Sequence, residues 1–95
     1  MFIVLLKFAG DRAAAARLME SHNAWLRRGF EDGVFLLAGT LQPALGGGIL
    51  AHGIARPVLE ARLAEDPFVA EGVVRAEIIE LAAAKADARL EFLVA

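Results

Sequence analysis

His22 lies in the stretch MESHNAWLRRGF, residues 19–30, where Met19, His22, Trp25, Leu26 and Phe30 recur at spacings of three and four. That spacing is the repeat of one helix face. A histidine in such an apolar stripe has three possible occupations. It can fill the core with its ring nitrogens satisfied by backbone or water, it can hold a ligand, or it can move a proton, because imidazole titrates near neutral pH. Trp25 reads first as core and second as a stacking platform for a ring-shaped ligand. Ser21 and Thr40 are the only hydroxyl-bearing side chains. Ser21 points about 100° away from His22 around the helix, which leaves a Ser-His-Asp nucleophile poorly supported and favours proton transfer over covalent catalysis.

Three other features carry chemistry or imitate it. Asp66 followed by Pro67 has the form of a helix N-cap with proline in the first position, opening the short turn PFVAE. His52, in GILAHGI, shares its side with Leu50 and Ile54 and is either a ligand contact in a cleft between subunits or an edge residue. The run Gly46 to Gly48 suggests a phosphate loop, but no helix follows it and no P-loop lysine is present, so it reads as a flexible hairpin.

Composition narrows the function classes. There is no cysteine, and the two histidines are thirty residues apart, so neither a metal site nor a bound cofactor is expected. The net charge of -2 comes from scattered residues without a basic stripe, which speaks against nucleic acid. The apolar start MFIVLLKF is only a strand long and lacks the basic leader and cleavage site of a signal peptide. No run approaches the roughly 20 apolar residues of a membrane span, so a cytoplasmic protein without membrane attachment is expected.

These residues need elements to position them. Residues 2–8, FIVLLKF, suit a central strand covered on both faces. A helix runs from a cap at Asp11 to a stop at Gly33. VFLLAGTL, residues 34–41, is a second strand with a bulge or close approach at Gly39, and the loop QPALGGG leads antiparallel into a third strand near 48–54. RPVLEARLAED gives a short helix over about 56–65 with Pro57 in its first turn. VVRAEIIELAA, residues 73–83, reads as a strand. The order β-α-β-β-α-β is that of an α+β, ferredoxin-like domain, a four-stranded antiparallel sheet with two helices on one face.

One domain is expected over residues 1–95. Apolar residues make up 58% of the chain, above the roughly 45–50% of an average domain, and the strands are apolar at nearly consecutive positions. The uncovered sheet face is therefore hydrophobic, and a symmetric homodimer packed through that face is expected. Residues 84–95 form a C-terminal extension whose Leu90, Phe92, Leu93 and Val94 are expected to dock on the domain or its partner.

The start MFIVLLKF, the helix with SHNAWL, the strand DGVFLLAGTL, the strand GGGIL and above all AEDPFVAEGVV resemble the YciI-like proteins, the YCII-related domain family, from Met1 to about Leu81. The resemblance implies a ferredoxin-like fold of the dimeric α/β-barrel type. It also implies an acid-base pair of a histidine on the first helix and an aspartate before Pro-Phe, here His22 and Asp66. Family chemistry concerns small molecules, such as elimination of halide from chlorinated aromatic compounds, and some members are not enzymes. Two positions depart from the pattern: Met19 stands where many relatives have arginine, and Thr40 stands where they have Gly-Pro. Loss of that arginine removes a fixed positive charge for an anionic substrate.

With the resemblance in view, Asp66 has two compatible roles, because one carboxylate oxygen can cap the turn while the other orients the imidazole. Two functions follow. One is a cofactor-free acid-base enzyme of lyase or isomerase type acting on a small cyclic or aromatic compound. The other is a non-catalytic dimeric module that binds a small ligand or only assembles.

Overall fold

The run FIVLLKF forms β1 (Phe2–Phe8), an inner strand of the sheet that is covered on one face only, not on both as its apolar run suggests: Phe2, Val4 and Leu6 are buried while Ile3 and Leu5 are half-buried. In the computed structural model, which describes residues 1–94, it is followed by α1 (Ala13–Glu31), β2 (Phe35–Leu41), β3 (Gly46–Ala51), α2 (Arg56–Ala64), α3 (Pro67–Ala70) and β4 (Val74–Glu80). A 3-10 segment, Ala88–Leu93, closes the described chain. The strand order is β2-β3-β1-β4 with every pair antiparallel, the topology of a ferredoxin-like domain.

Register assigns the faces. Phe2, Val4 and Leu6 are buried, and Ala51, Ile49 and Gly47 stand opposite them on β3, with Ile78 and Ala76 opposite Val4 and Leu6 on β4. These residues look toward the helices and pack with Trp25, Leu59, Leu63 and Phe68 in one core. Ile3, Leu5 and Lys7 point the other way, where Lys7 meets Glu77 at 3.5 Å.

The helices follow local rules. The carboxylate of Asp11 accepts the backbone N–H of Ala13 at 2.9 Å, so it caps α1 although the assigned helix begins two residues later. Gly33 at φ 73 ends that helix by a turn into β2. Indole Nε1 of Trp25 donates to the carbonyl of Arg62 at 3.0 Å, which also accepts the backbone N–H of Glu65 at 3.1 Å in the last turn of α2. Arg62 also pairs with Asp32 at 2.9 Å, which fixes α2 to the end of α1.

The structure corrects the sequence reading at several points. No barrel is formed: β2 pairs only with β3 and β4 only with β1, so the sheet is open at both edges. Four strands are too few to close on themselves, since about eight are needed around an interior filled by side chains. β3 begins at Gly46, not near residue 48, and ends at Ala51, so the three glycines belong to the strand. β4 ends at Glu80. The bulge falls between Phe35 and Leu37, with Leu36 as the extra residue, and Gly39 pairs regularly with Gly48.

Residues 81–87 run without regular structure after Leu81, whose backbone exchanges hydrogen bonds with Met1 at 2.9 and 3.0 Å. In the C-terminal extension, Phe92 lies edge-on to the His52 ring at 5.4 Å, yet Phe92, Leu90 and Val94 are all exposed. Ala95, the last residue of that extension, lies outside the described residues.

Candidate active site

Asp66 precedes α3 in extended conformation, φ -63 and ψ 124, and its Oδ1 accepts the backbone N–H of Phe68 at 3.2 Å. Proline at the next position needs no such partner, so the cap reaches the following residue. The Asp66 side chain is fully buried, and the same Oδ1 lies 2.7 Å from Nδ1 of His22, a buried residue of α1. One oxygen thus does both jobs that the sequence reading divided between two. Oδ2 is buried without a partner. An ionised carboxylate only accepts, so Nδ1 is the donor in this contact, and in the neutral ring Nε2 is the nitrogen with the lone pair.

The imidazole is held on its flat side as well. Its ring stacks on Phe68 with centroids 4.0 Å apart and planes 8° from parallel. Trp25 lies 5.8 Å from it. Nε2 makes no hydrogen bond, and the only buried side-chain nitrogen or oxygen without a partner among the described residues is Asp66 Oδ2. Nε2 is therefore open to the space beside the ring.

That space is a cleft of about 380 Å³ between α1 and the β2-β3 half of the sheet. Met19, His22, Asn23 and Leu26 form its helical wall, with Phe68 beside them. Ala38, Thr40 and the backbone of Gly46 to Gly48 form its floor, and Leu6, Phe8 and Val74 close the inner end. The lining is mostly apolar; beyond His22, its polar side chains are Asn23 and Thr40. Ligand sites of this size and character are common in enzymes and binding proteins.

The structure therefore brings His22 and Asp66 together and places His22 on the cleft. Trp25 does not line it: the indole is 1% exposed, bonded to Arg62 and packed edge-on against Phe35. His52 does not line it either, lying past the end of β3 against Phe92. Neither candidate ligand contact is part of this site. The sequence reading missed Asn23, Thr40 and Gly47. The signal for the last was the glycine run itself, which marks a place where something approaches the backbone of a strand.

Among the described residues, no three His, Cys, Asp or Glu side chains converge to hold a metal ion, and no helix is long and apolar enough to cross a membrane.

Fold and site together define an α+β domain of ferredoxin-like topology with a buried His-Asp pair beside an apolar cleft. Among solved structures, the fold is shared with 5-chloro-2-hydroxyhydroquinone dehydrochlorinase (TftG) from Burkholderia phenoliruptrix AC1100, in complex with 2,5-dihydroxybenzoquinone. The TM-score is 0.69, and the match covers 85% of this chain and 93% of that chain at 12% identity, a likeness of fold. No protein-family model and no curated protein matches the chain.

Proposed function

We propose that this chain is a small acid-base enzyme of the YciI-like kind, of lyase or isomerase type, acting on a small cyclic or aromatic compound. One observation carries the reading: His22 has Nδ1 fixed on a buried carboxylate while Nε2 stays open beside an apolar cleft. A core histidine gains nothing from that division. A general base needs it, because the carboxylate sets the tautomer and stabilises the imidazolium that forms.

In the proposed reaction, Nε2 takes a proton from the bound ring compound. The electron pair left behind either expels a leaving group, which is elimination, or collects the proton again at another carbon, which is isomerisation. The dehydrochlorinase that shares this fold supports the first outcome, and its bound dihydroxybenzoquinone supports a flat ring as the ligand.

The test is a set of hydroxylated and chlorinated six-membered ring compounds, followed by chloride release and by deuterium uptake from heavy water. Turnover by the wild type, lost by about 100-fold or more in His22→Gln, is expected. Ligand binding without turnover or exchange in the wild type, and undiminished in His22→Gln, would replace this reading by that of a non-catalytic binding module.

We also propose that a second copy covers the open sheet face. Ile3, Leu5, Leu37, Leu41 and Leu50 line an apolar groove of about 310 Å³ there, and Leu37 is 59% exposed. A face of this kind marks an association surface more often than a solvated one.

A further inference from the structure

The glycine run differs residue by residue in what it does for the fold. Gly46 has φ 138, and a Cβ there would fall on the carbonyl oxygen of Leu6, so no other residue fits. At Gly48 a Cβ would touch Leu41, which belongs to the open face. Gly47 is unlike both. Its register partners are Leu6 and Thr40, two residues that line the cleft, so a side chain at 47 would project into the cleft. The backbone there is not in the left-handed region, and an added Cβ would meet only the Gly39 carbonyl oxygen at an ordinary 3.5 Å. Nothing in the fold therefore requires glycine at 47. Glycine in a strand interior weakens the strand, so its presence has a local cost without a structural return.

We infer that Gly47 is the specificity-determining residue of the cleft: its missing side chain leaves a flat peptide floor opposite Met19, His22 and Asn23, and so sets the size of flat ring that can lie there. This rests on the reading of the cleft as a ligand site but not on proton transfer by His22. The ligand class is a planar ring compound with at least one hydrogen-bonding substituent, for which Asn23 and Thr40 are the polar contacts within the cleft.

Phenol and 2-naphthol serve as probes of one chemistry and two sizes, with binding read from backbone amide shifts of Asn23, Thr40 and residue 47 in wild type, Gly47→Ala and Gly47→Val. The wild type is expected to bind both. Gly47→Ala should weaken 2-naphthol several-fold and Gly47→Val at least tenfold, with phenol changed by less than threefold and a melting temperature equal to or above that of the wild type. Equal loss of both probes, no loss of 2-naphthol in either variant, or no binding by the wild type would overturn the inference. A fall in melting temperature in Gly47→Ala would overturn its premise that the fold does not need glycine there. His22→Gln, assayed in parallel, should keep the size preference whether or not it retains turnover, so failure of the catalytic reading leaves a separate signature.

Discussion

Phe68 holds both members of the pair: its ring lies on that of His22 at 4.0 Å, and its backbone N–H is the donor that Asp66 caps. Phe68→Ala removes the stacking surface and leaves the cap. We expect a loss of about 3–5 kcal/mol, typical of deleting a buried phenylalanine. Phe68→Leu should lose less stability yet still lower turnover, because the imidazole gains freedom to tilt. Turnover unchanged in the leucine variant would show that stacking plays no part in orienting His22.

Asp66 is the second point of attack. Asp66→Ala strands the Phe68 N–H and Nδ1 of His22 in a buried place, and should cost about 2–4 kcal/mol. Asp66→Asn keeps an acceptor for the cap and should cost less. Both should slow turnover. The nitrogen NMR shifts of His22 provide the check. The wild type should show a protonated Nδ1 and bare Nε2 in the neutral ring, and Asp66→Ala a mixture of tautomers. Identical spectra would dissolve the proposed pair.

His22→Leu is the substitution that separates packing from chemistry. A histidine that only fills space would tolerate it. Here it would leave Asp66 buried with the backbone of Phe68 alone, so destabilisation of about 1–3 kcal/mol is expected. The double variant with Asp66→Ala should recover part of that loss, giving a coupling of at least about 0.5 kcal/mol. Additive losses in urea denaturation would mean the two side chains do not interact.

Assembly is checked by sedimentation at low micromolar concentration. A dimer is expected, and Leu37→Glu, at the most exposed leucine of the open face, should shift it to monomer without unfolding. A wild-type monomer of 10.1 kDa would refute pairing through this face.

The C-terminal segment gives a pH-dependent outcome. The side chain and backbone of Arg89 hold the Asp87 carboxyl below its ordinary 3.8. A carboxyl lowered in the folded state contributes above its unfolded value and loses that contribution as pH falls through the lowered one. The Asp87 cap should therefore persist at pH 4 and release in stronger acid, which the Phe92 to His52 ring contacts would report. Removing residues 86–95 should abolish those contacts and lower the melting temperature or shift the dimer equilibrium.

What could be seen in advance follows from what leaves a trace in residue type. β1 and α1 are legible because a run of β-branched and aromatic residues favours a strand and a helix on a core must repeat every three or four residues. The start of β3 is not legible because glycine carries no side chain from which a face can be assigned, and the bulge at Leu36 leaves no mark in residue type, whereas Gly39, the usual kind of marker, pairs regularly. His22 and Asp66, 44 residues apart, were joined through a family resemblance, since no local spacing connects them. The division of labour on Asp66 depends on which oxygen faces which donor, and no sequence records that. The cleft was invisible for a simpler reason: it consists of atoms that are missing.

The extra residue at Leu36 has its own consequence for the cleft. If the strand kept Leu36 in regular alternation instead of bulging it out, Leu37 and Leu41 would turn toward the helices and Ala38 and Thr40 outward. Two bulky branched chains would then occupy the volume beside His22, and the outer surface would lose two of its leucines while keeping Leu5 and Leu50. A change of phase within one strand therefore hollows one side and greases the other together. Lineages of this fold could acquire or forfeit a binding chamber, and with it a sticky exterior, by gaining or losing the bulge in this strand.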